Sequence, residues 1–174
     1  FFFSRRIGLS DDGAEIPIIG GARVTGKAGS YDLGILNILA DRISYEEEGE
    51  RVDIERTNYS VFRLKRDFLS KSTIGLMLLG KDSLQSPAFN RGVGLDLDLA
   101  FGPSVKIGGF AANTFTPELK GKDWAANLDF VLNSDFWVVD CSYTDIGENF
   151  NSELGFIPRT DIRKVRANLG VGPR

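Results

Sequence analysis

The clearest hydrophobic pattern in the chain is a strict alternation over residues 92–101. Apolar side chains occupy every second position, and glycine, aspartate or alanine fills the positions between them. A period of two places successive side chains on opposite faces of a β-strand. The sequence therefore predicts a strand with one apolar face. That face carries Val93, Leu95, Leu97, Leu99 and Phe101.

The same alternation recurs along the chain, most clearly over residues 124–132 and 137–144. Glycine clusters where apolar stretches end or alternate, and this punctuation is typical of strands rather than helices. The patterns predict an all-β fold of antiparallel hairpins. The predicted strands span residues 19–27, 32–43, 59–68, 73–82, 92–101, 105–115, 124–132, 136–145 and 161–170.

The connections between these strands alternate between short and long. Tight turns are predicted near residues 27–30, 69–72, 102–104 and 133–135, and longer loops at 44–58, 83–91, 116–123 and 146–160. Outer-membrane barrels have this up-and-down pattern, with strands of about 9–11 residues, short periplasmic turns and long outer loops. The predicted fold is therefore part of a transmembrane β-barrel of the outer-membrane type.

Alternation alone does not separate a membrane barrel from a soluble one, because a soluble barrel turns its apolar face inward. The alternative is a soluble β-barrel or sandwich that binds a carbohydrate or an apolar ligand and buries Val93, Leu95, Leu97 and Leu99. Aromatic residues near the predicted strand ends favour the membrane, where such residues form girdles. These are Tyr31, Tyr59, Phe68, Phe101, Phe115, Trp124, Phe136 and Tyr143.

The amino-acid composition argues against several classes of function. The chain has 42% hydrophobic and 26% charged residues, a net charge of -3, one cysteine and no histidine. The absence of histidine removes the commonest general base and zinc ligand, so we expect neither an enzyme nor a metal or cofactor site. The acidic balance argues against nucleic acid as a partner. The longest apolar run, residues 74–79, is too short for a transmembrane helix.

Charged residues occupy the face opposite the apolar one. Asp96 and Asp98 lie about 7 Å apart along one predicted strand, a spacing that also occurs between the carboxylates of glycosidases. A water-filled lumen lined by polar residues explains them without chemistry. Basic residues either line the same lumen or pair with the aspartates. The lumen candidates are Asp96, Asp98, Asp129, Asp140, Arg63 and Lys65, with Arg23, Lys27 and Lys106 as further basic positions.

Residues 1–174 are predicted to be one all-β unit. The odd number of strands and the lack of a closing strand indicate a segment of a larger barrel. No signal peptide is predicted within these residues, since the opening apolar run is followed by Ser4, Arg5 and Arg6 without a preceding basic region or a cleavage site. If the protein is exported, its leader is expected upstream of residue 1.

Several short motifs support this assignment. Residues 2–8 (FFSRRIG) and 19–27 (IGGARVTGK) are followed by 57–64 (TNYSVFRL) and 72–75 (STIG), and later by Phe150 and residues 155–161 (GFIPRTD). In this order they resemble an uncharacterised bacterial outer-membrane β-barrel domain that commonly follows a family-nine-like carbohydrate-binding domain. The similarity spans nearly the whole chain, and each motif is short.

The resemblance implies a barrel in the bacterial outer membrane, and for such a barrel we expect a structural or porin-like transport role. It also implies a link to carbohydrate binding or uptake, and the lipid bilayer, outer-membrane partner subunits and a carbohydrate as partners. The family offers no established catalytic residues to transfer. The solute and the total number of strands stay open.

Overall fold

The fold was analysed in a computed structural model that describes residues 7–10, 13–47, 49–69, 71–155, 157 and 159–172. Every regular element in these residues is a strand, which confirms the all-β prediction. The strands are β1 (Ile18–Ala28), β2 (Tyr31–Ala40), β3 (Ile43–Glu47), β4 (Glu50–Ile54), β5 (Thr57–Phe68), β6 (Ser72–Ser83), β7 (Phe89–Phe101), β8 (Val105–Phe115), β9 (Trp124–Asn133), β10 (Trp137–Ile146) and β11 (Ile162–Val171).

Nine of these strands form one antiparallel sheet in the order β1-β2-β5-β6-β7-β8-β9-β10-β11. The predicted up-and-down arrangement is therefore confirmed, because neighbours in the sheet are neighbours in the chain once the separate β3–β4 hairpin is set aside. Within the described residues the sheet is open, with β1 and β11 as its edges. Closure into a barrel remains a prediction.

The predicted strand boundaries need three corrections. The strand expected to begin at residue 92 begins at Phe89, inside the predicted loop 83–91. The strand expected at 32–43 ends at Ala40, where the N–H of Asp41 donates to the carbonyl of Pro17 at 2.7 Å. The stretch 44–58, expected to be a loop, contains most of the β3–β4 hairpin, in which Tyr45 lies opposite Val52. The charged residues there mask a short alternating pattern. The first family motif lies largely outside the described residues, because residues 2–6 belong to none of the described ranges.

The strand registers define two faces. Leu95 of β7 aligns with Leu76, Leu64 and Leu33 on three successive strands, and we call this the apolar face. The next residue, Asp96, aligns with Gly75, Lys65 and Asp32, and this is the polar face. Side chains alternate between the two sides along each strand, and the register aligns neighbouring strands. Both faces therefore continue across all nine strands.

Side-chain burial differs sharply between the faces. The buried cluster that includes Tyr59, Val61 and Leu79 lies on the polar face, whereas Leu95 on the apolar face is 55% exposed. The apolar face is uncovered in the described structure. Its exposed large apolar side chains are Val24, Tyr31, Leu33, Ile35, Ile74, Leu78, Leu95, Phe101, Phe115, Trp124, Leu128, Trp137, Tyr143, Val165, Leu169 and Val171.

The two ends of the sheet also differ. Tight turns join β1–β2, β5–β6, β7–β8 and β9–β10 at the turn end, and longer connections lie at the loop end, as predicted. From the loop end, residues 147–155 fold back over the polar face, and we call this segment the strap. Its Phe150 and Leu154 are 3% and 1% exposed. Ile16 packs into the same buried cluster as Leu154.

Candidate functional site

Charged side chains form a band on the polar face toward the turn end. Lys27, Asp32 and Lys65 lie opposite one another on β1, β2 and β5, so opposite charges alternate across the strands. Such directly opposed pairs stabilise an antiparallel sheet. Lys27 also donates a hydrogen bond to Asp67 at 2.9 Å. The band therefore contains neighbouring cations and anions rather than one sign of charge.

The strongest contact in the band joins Arg63 of β5 to Asp96 of β7. The guanidinium binds both carboxylate oxygens, with Nη2 2.7 Å from Oδ1 and Nη1 on Oδ2. Both side chains are only 27% exposed. A bidentate arginine–carboxylate pair fixes geometry as well as charge. Basic residues were expected either to line a lumen or to pair with the aspartates, and Arg63 and Lys27 do pair.

Gly75 makes this pair geometrically feasible. It lies on β6, between the two strands that carry the partners, and the ion pair passes directly over it. A Cβ at this position would lie 2.5 Å from Asp96 Oδ2 and 2.6 Å from Arg63 Nη1 and Nη2. Glycine is therefore required for the contact, since any side chain would occupy the space of the pair.

We expect Gly75→Ala to break the ion pair while leaving the sheet folded, because the displaced atoms are the ends of flexible side chains. A double-mutant cycle with Arg63→Met and Asp96→Asn, followed by denaturant unfolding, should give a coupling of about 1.5–3 kcal/mol in the native background. With alanine at position 75 the coupling should fall toward zero. Gly20→Ala is the control, since no atom lies within 4 Å of its added Cβ. Equal coupling in both glycine variants would contradict this role.

The other predicted polar residues also lie on the polar face. Lys65 and Asp98 are near enough to act electrostatically on the Arg63–Asp96 pair, whereas Asp129 and Asp140 lie on more distant strands. Asp98 accepts a hydrogen bond from Thr73 at 3.4 Å, and its register continues through Gly108 to Asp129 on β9. Asp140 lies on β10 and is exposed. The structure therefore spreads these aspartates across β7, β9 and β10.

This arrangement does not leave Asp96 available as the acid of a glycosidase pair. Both oxygens of Asp96 accept hydrogen bonds from Arg63, which holds the carboxylate in its charged form. A glycosidase acid needs the opposite, a carboxyl kept protonated by its surroundings. In the described residues, no three His, Cys, Asp or Glu side chains form a group able to hold a metal ion.

Two cavities lie along the polar face. The loop-end cavity has a volume of about 1120 Å³ and is lined by strand and loop residues that include Tyr59, Lys81 and Asn90. The mid-sheet cavity has a volume of about 370 Å³, and its lining includes Arg63, Met77, Gly94, Asp96 and Phe110. The charged band thus borders the second cavity. Neither cavity was predicted from the sequence.

A carboxylate at the loop end is held by hydroxyl groups. Ser83 and Ser86 both donate hydrogen bonds to Oε2 of Glu55, which lies just before β5. These bonds stabilise the charged form and hold the pKa of Glu55 below its usual value. Because Ser83 ends β6 and Ser86 lies in the following connection, Glu55 ties three segments together at the rim of the loop-end cavity.

The strap contacts were also missed. Asn90 and Thr114, which are 4% and 1% exposed, bind the strap backbone from β7 and β8. A polar residue at the loop end of an alternating strand gives no sign that it is buried. The available signals were Phe150 and Leu154, two large apolar residues in a segment otherwise typical of a solvated loop.

Comparisons of the chain with protein-family models, with curated proteins and with solved structures gave no match. The resemblance to the outer-membrane barrel domain therefore stays a prediction. Within the described residues, no helix has the length and hydropathy needed to cross a bilayer.

Proposed function

We propose that this chain is an outer-membrane β-barrel module whose apolar face contacts lipid and whose polar face lines a lumen. The observation that carries the proposal is the uncovered apolar face of the nine-stranded sheet. Soluble monomers rarely expose apolar patches larger than a few hundred Å². Lipid is the solvent in which such a face costs no free energy.

The positions of charged residues on the apolar face support this reading. Each of them lies within two residues of a strand end, so the central part of the face carries only apolar side chains, glycine and a few neutral polar groups. Charges at the bilayer midplane are costly and become tolerable near the interfaces. The charged residues are Arg66, Asp82, Arg91, Asp145 and Arg163.

Aromatic residues mark both edges of this belt. Tyr31 and Phe101 lie at the turn end, and Phe115 and Trp124 at the loop end, all at least 38% exposed. From Val93 to Phe101 the belt measures about 26 Å along the strand, which at the tilt of about 40° found in outer-membrane barrels spans about 20 Å of the apolar band's height of about 25 Å. The prediction that Tyr59 belongs to an aromatic girdle is wrong, because Tyr59 is 4% exposed and packs on the polar face.

The proposed role is structural or porin-like transport. The charged band and the two cavities would then line the aqueous side, and their mixed charge suits small polar solutes of either sign. The bacterial outer membrane as location, and outer-membrane subunits and a carbohydrate as partners, remain predictions that follow from this assignment. The soluble alternative requires a cover for the apolar face, and the described residues provide none.

The decisive experiment places spin labels at Leu95 and Leu97 of the full chain in lipid bilayers, and compares collision with oxygen and with a water-soluble nickel complex. Both labels are expected to favour oxygen. A label at Asp98, on the same strand but the opposite face, is the matched control and is expected to favour nickel. Protection of Leu95 and Leu97 from both reagents would indicate a soluble core and support the ligand-binding alternative.

A further inference from the structure

The strap separates the two cavities of the polar face. Along β6, Lys81 lines the loop-end cavity, Leu79 belongs to the buried cluster that contains Leu154 of the strap, and Met77 lines the mid-sheet cavity. Because these residues point to the same face at successive positions, the strap lies between the cavities rather than beside them. Strap residues 150–153 also line the loop-end cavity.

Asn90 is the main polar anchor of the strap. Its amide nitrogen donates to the carbonyl of Asn151 at 2.8 Å and to Thr116 Oγ1 at 2.8 Å, and its oxygen accepts from the N–H of Glu153 at 3.2 Å. One side chain on β7 thus binds the strap backbone on both sides of Ser152. The strap is irregular and, among the described residues, forms no strand pairing with the sheet beneath it, so its backbone N–H and C=O groups need other partners. The side chain of Asn90 supplies two of them.

Two further polar contacts hold the same part of the strap. Thr114 Oγ1 accepts from the N–H of Asn151 at 3.0 Å. Lys81 Nζ lies 2.6 Å from Glu153 Oε2, and the two side chains are 36% and 32% exposed. Water can replace these bonds when the strap leaves, so their net contribution is modest.

The apolar anchoring is confined to a few positions. Phe150 packs with the small side chains of Ala112 and Ala125, and Leu154 packs in the cluster with Val61 and Leu79. Ala112, which packs against Phe150, also lines the mid-sheet cavity, together with Gly94, Met77 and Phe110. Removal of the strap would therefore join two existing cavities without rearranging the strands.

We propose that the strap is a releasable plug that controls the passage of small polar solutes between the loop-end cavity and the mid-sheet cavity. This inference rests on the proposed function, because passage requires a lumen. The closed state is the one described, in which Asn90, Thr114 and Lys81 hold the strap. The open state exposes residues 150–154 and joins the loop-end cavity to the charged band at Arg63 and Asp96.

Strap release is measured by cysteine labelling. Ser152→Cys in a Cys141→Ser background gives a protein with a single thiol. The native Ser152 is 8% exposed, so the thiol is buried while the strap is docked. Adding Asn90→Ala should raise the rate of reaction with a water-soluble maleimide about tenfold, because the two hydrogen bonds from Asn90 to the strap backbone are lost. Lys81→Gln is a second, milder test, and Asp82→Asn is its control, since Asp82 pairs with Arg91 on the other face. Unfolding curves identify any variant that fails to fold.

Solute passage is then measured with liposomes that carry the full chain in their membrane. A small neutral sugar is added outside, and its entry makes the liposomes swell. Liposomes with the Asn90→Ala or Lys81→Gln variant should swell faster than liposomes with the parent protein or the Asp82→Asn control. Unchanged labelling and swelling in variants that insert would overturn the plug. A different outcome would overturn the membrane function and with it the control of passage. In that outcome the variants show faster labelling but no faster swelling, and the spin label at Leu95 does not favour oxygen.

Discussion

Leu95→Arg is expected to destabilise the protein by about 2–4 kcal/mol in a bilayer, the cost of an arginine on the lipid-facing surface of a barrel near the midplane. Leu95 lies at the centre of the apolar face and is 55% exposed. In a water-soluble protein the same substitution at so exposed a position would change the free energy of unfolding by less than about 0.5 kcal/mol. The sign and size of the effect therefore identify the solvent on this face.

Leu84→Arg provides the matched control. Leu84 is 56% exposed and lies in the connection after β6, beyond the apolar belt. The side chain and the substitution are the same and the exposure is nearly equal, while Leu84 lies outside the sheet and beyond the apolar belt. Urea unfolding in lipid vesicles measures both variants. Equal and small losses at the two positions would contradict a lipid-facing belt.

Leu79→Ala is the second substitution expected to have a large effect, with a loss of about 2–5 kcal/mol. Leu79 is 6% exposed although it points to the polar face, because Ile16 and Leu154 cover it. An empty, water-filled lumen at this position would leave the side chain exposed and its truncation cheap. The prediction thus tests the packing of the strap against the sheet.

The neighbouring Leu78 gives a control on the same strand. It points to the apolar face, where lipid fills the space that a truncation leaves, so Leu78→Ala should lose only the transfer free energy of the removed carbons, about 2 kcal/mol, without the cavity cost expected at Leu79. Denaturant unfolding of both variants in the same vesicles provides the comparison. A loss at Leu79 no larger than that at Leu78 would show that the buried cluster does not form.

The period of two was sufficient to predict most of the sheet. Residues 124–132 match β9 to within one residue, because apolar side chains occupy every second position there. Residues 105–115 match β8 although that segment mixes apolar and polar residues on both faces, and its ends are set by Gly102 and Pro103 before it and Pro117 after it. The prediction of alternating turns and loops also holds. Those features depend on neighbouring residues, which a single sequence displays directly.

The β3–β4 hairpin was missed because charge was weighed above alternation. Residues 44–58 are rich in glutamate and arginine, yet Ile43 pairs with Ile54 and Tyr45 with Val52. These apolar residues alternate with the charged ones on each short strand. The signal was present, and Gly49, with φ at 86°, supplies the turn conformation that favours glycine.

The contacts of the polar face could not be predicted because they join residues that are distant in sequence. Arg63 and Asp96 are separated by the whole of β6, and their contact depends on the register that brings Gly75 between them. The strap anchors at Asn90 and Thr114 depend in the same way on where a returning segment lies. Strand pattern indicates a residue's face but not its cross-sheet partner.

The order of strands in the sheet has a consequence for assembly. Each strand pairs with the one before it in the chain, apart from the inserted hairpin between β2 and β5, so no pairing closes a very long loop. Loop-closure entropy grows slowly with length, and such local pairings favour growth from one edge in chain order. The strap contacts side chains on β5 to β9, so its surface is complete before residues 147–155 dock. We therefore expect the polar face to be sealed last, after the strands beneath it have paired.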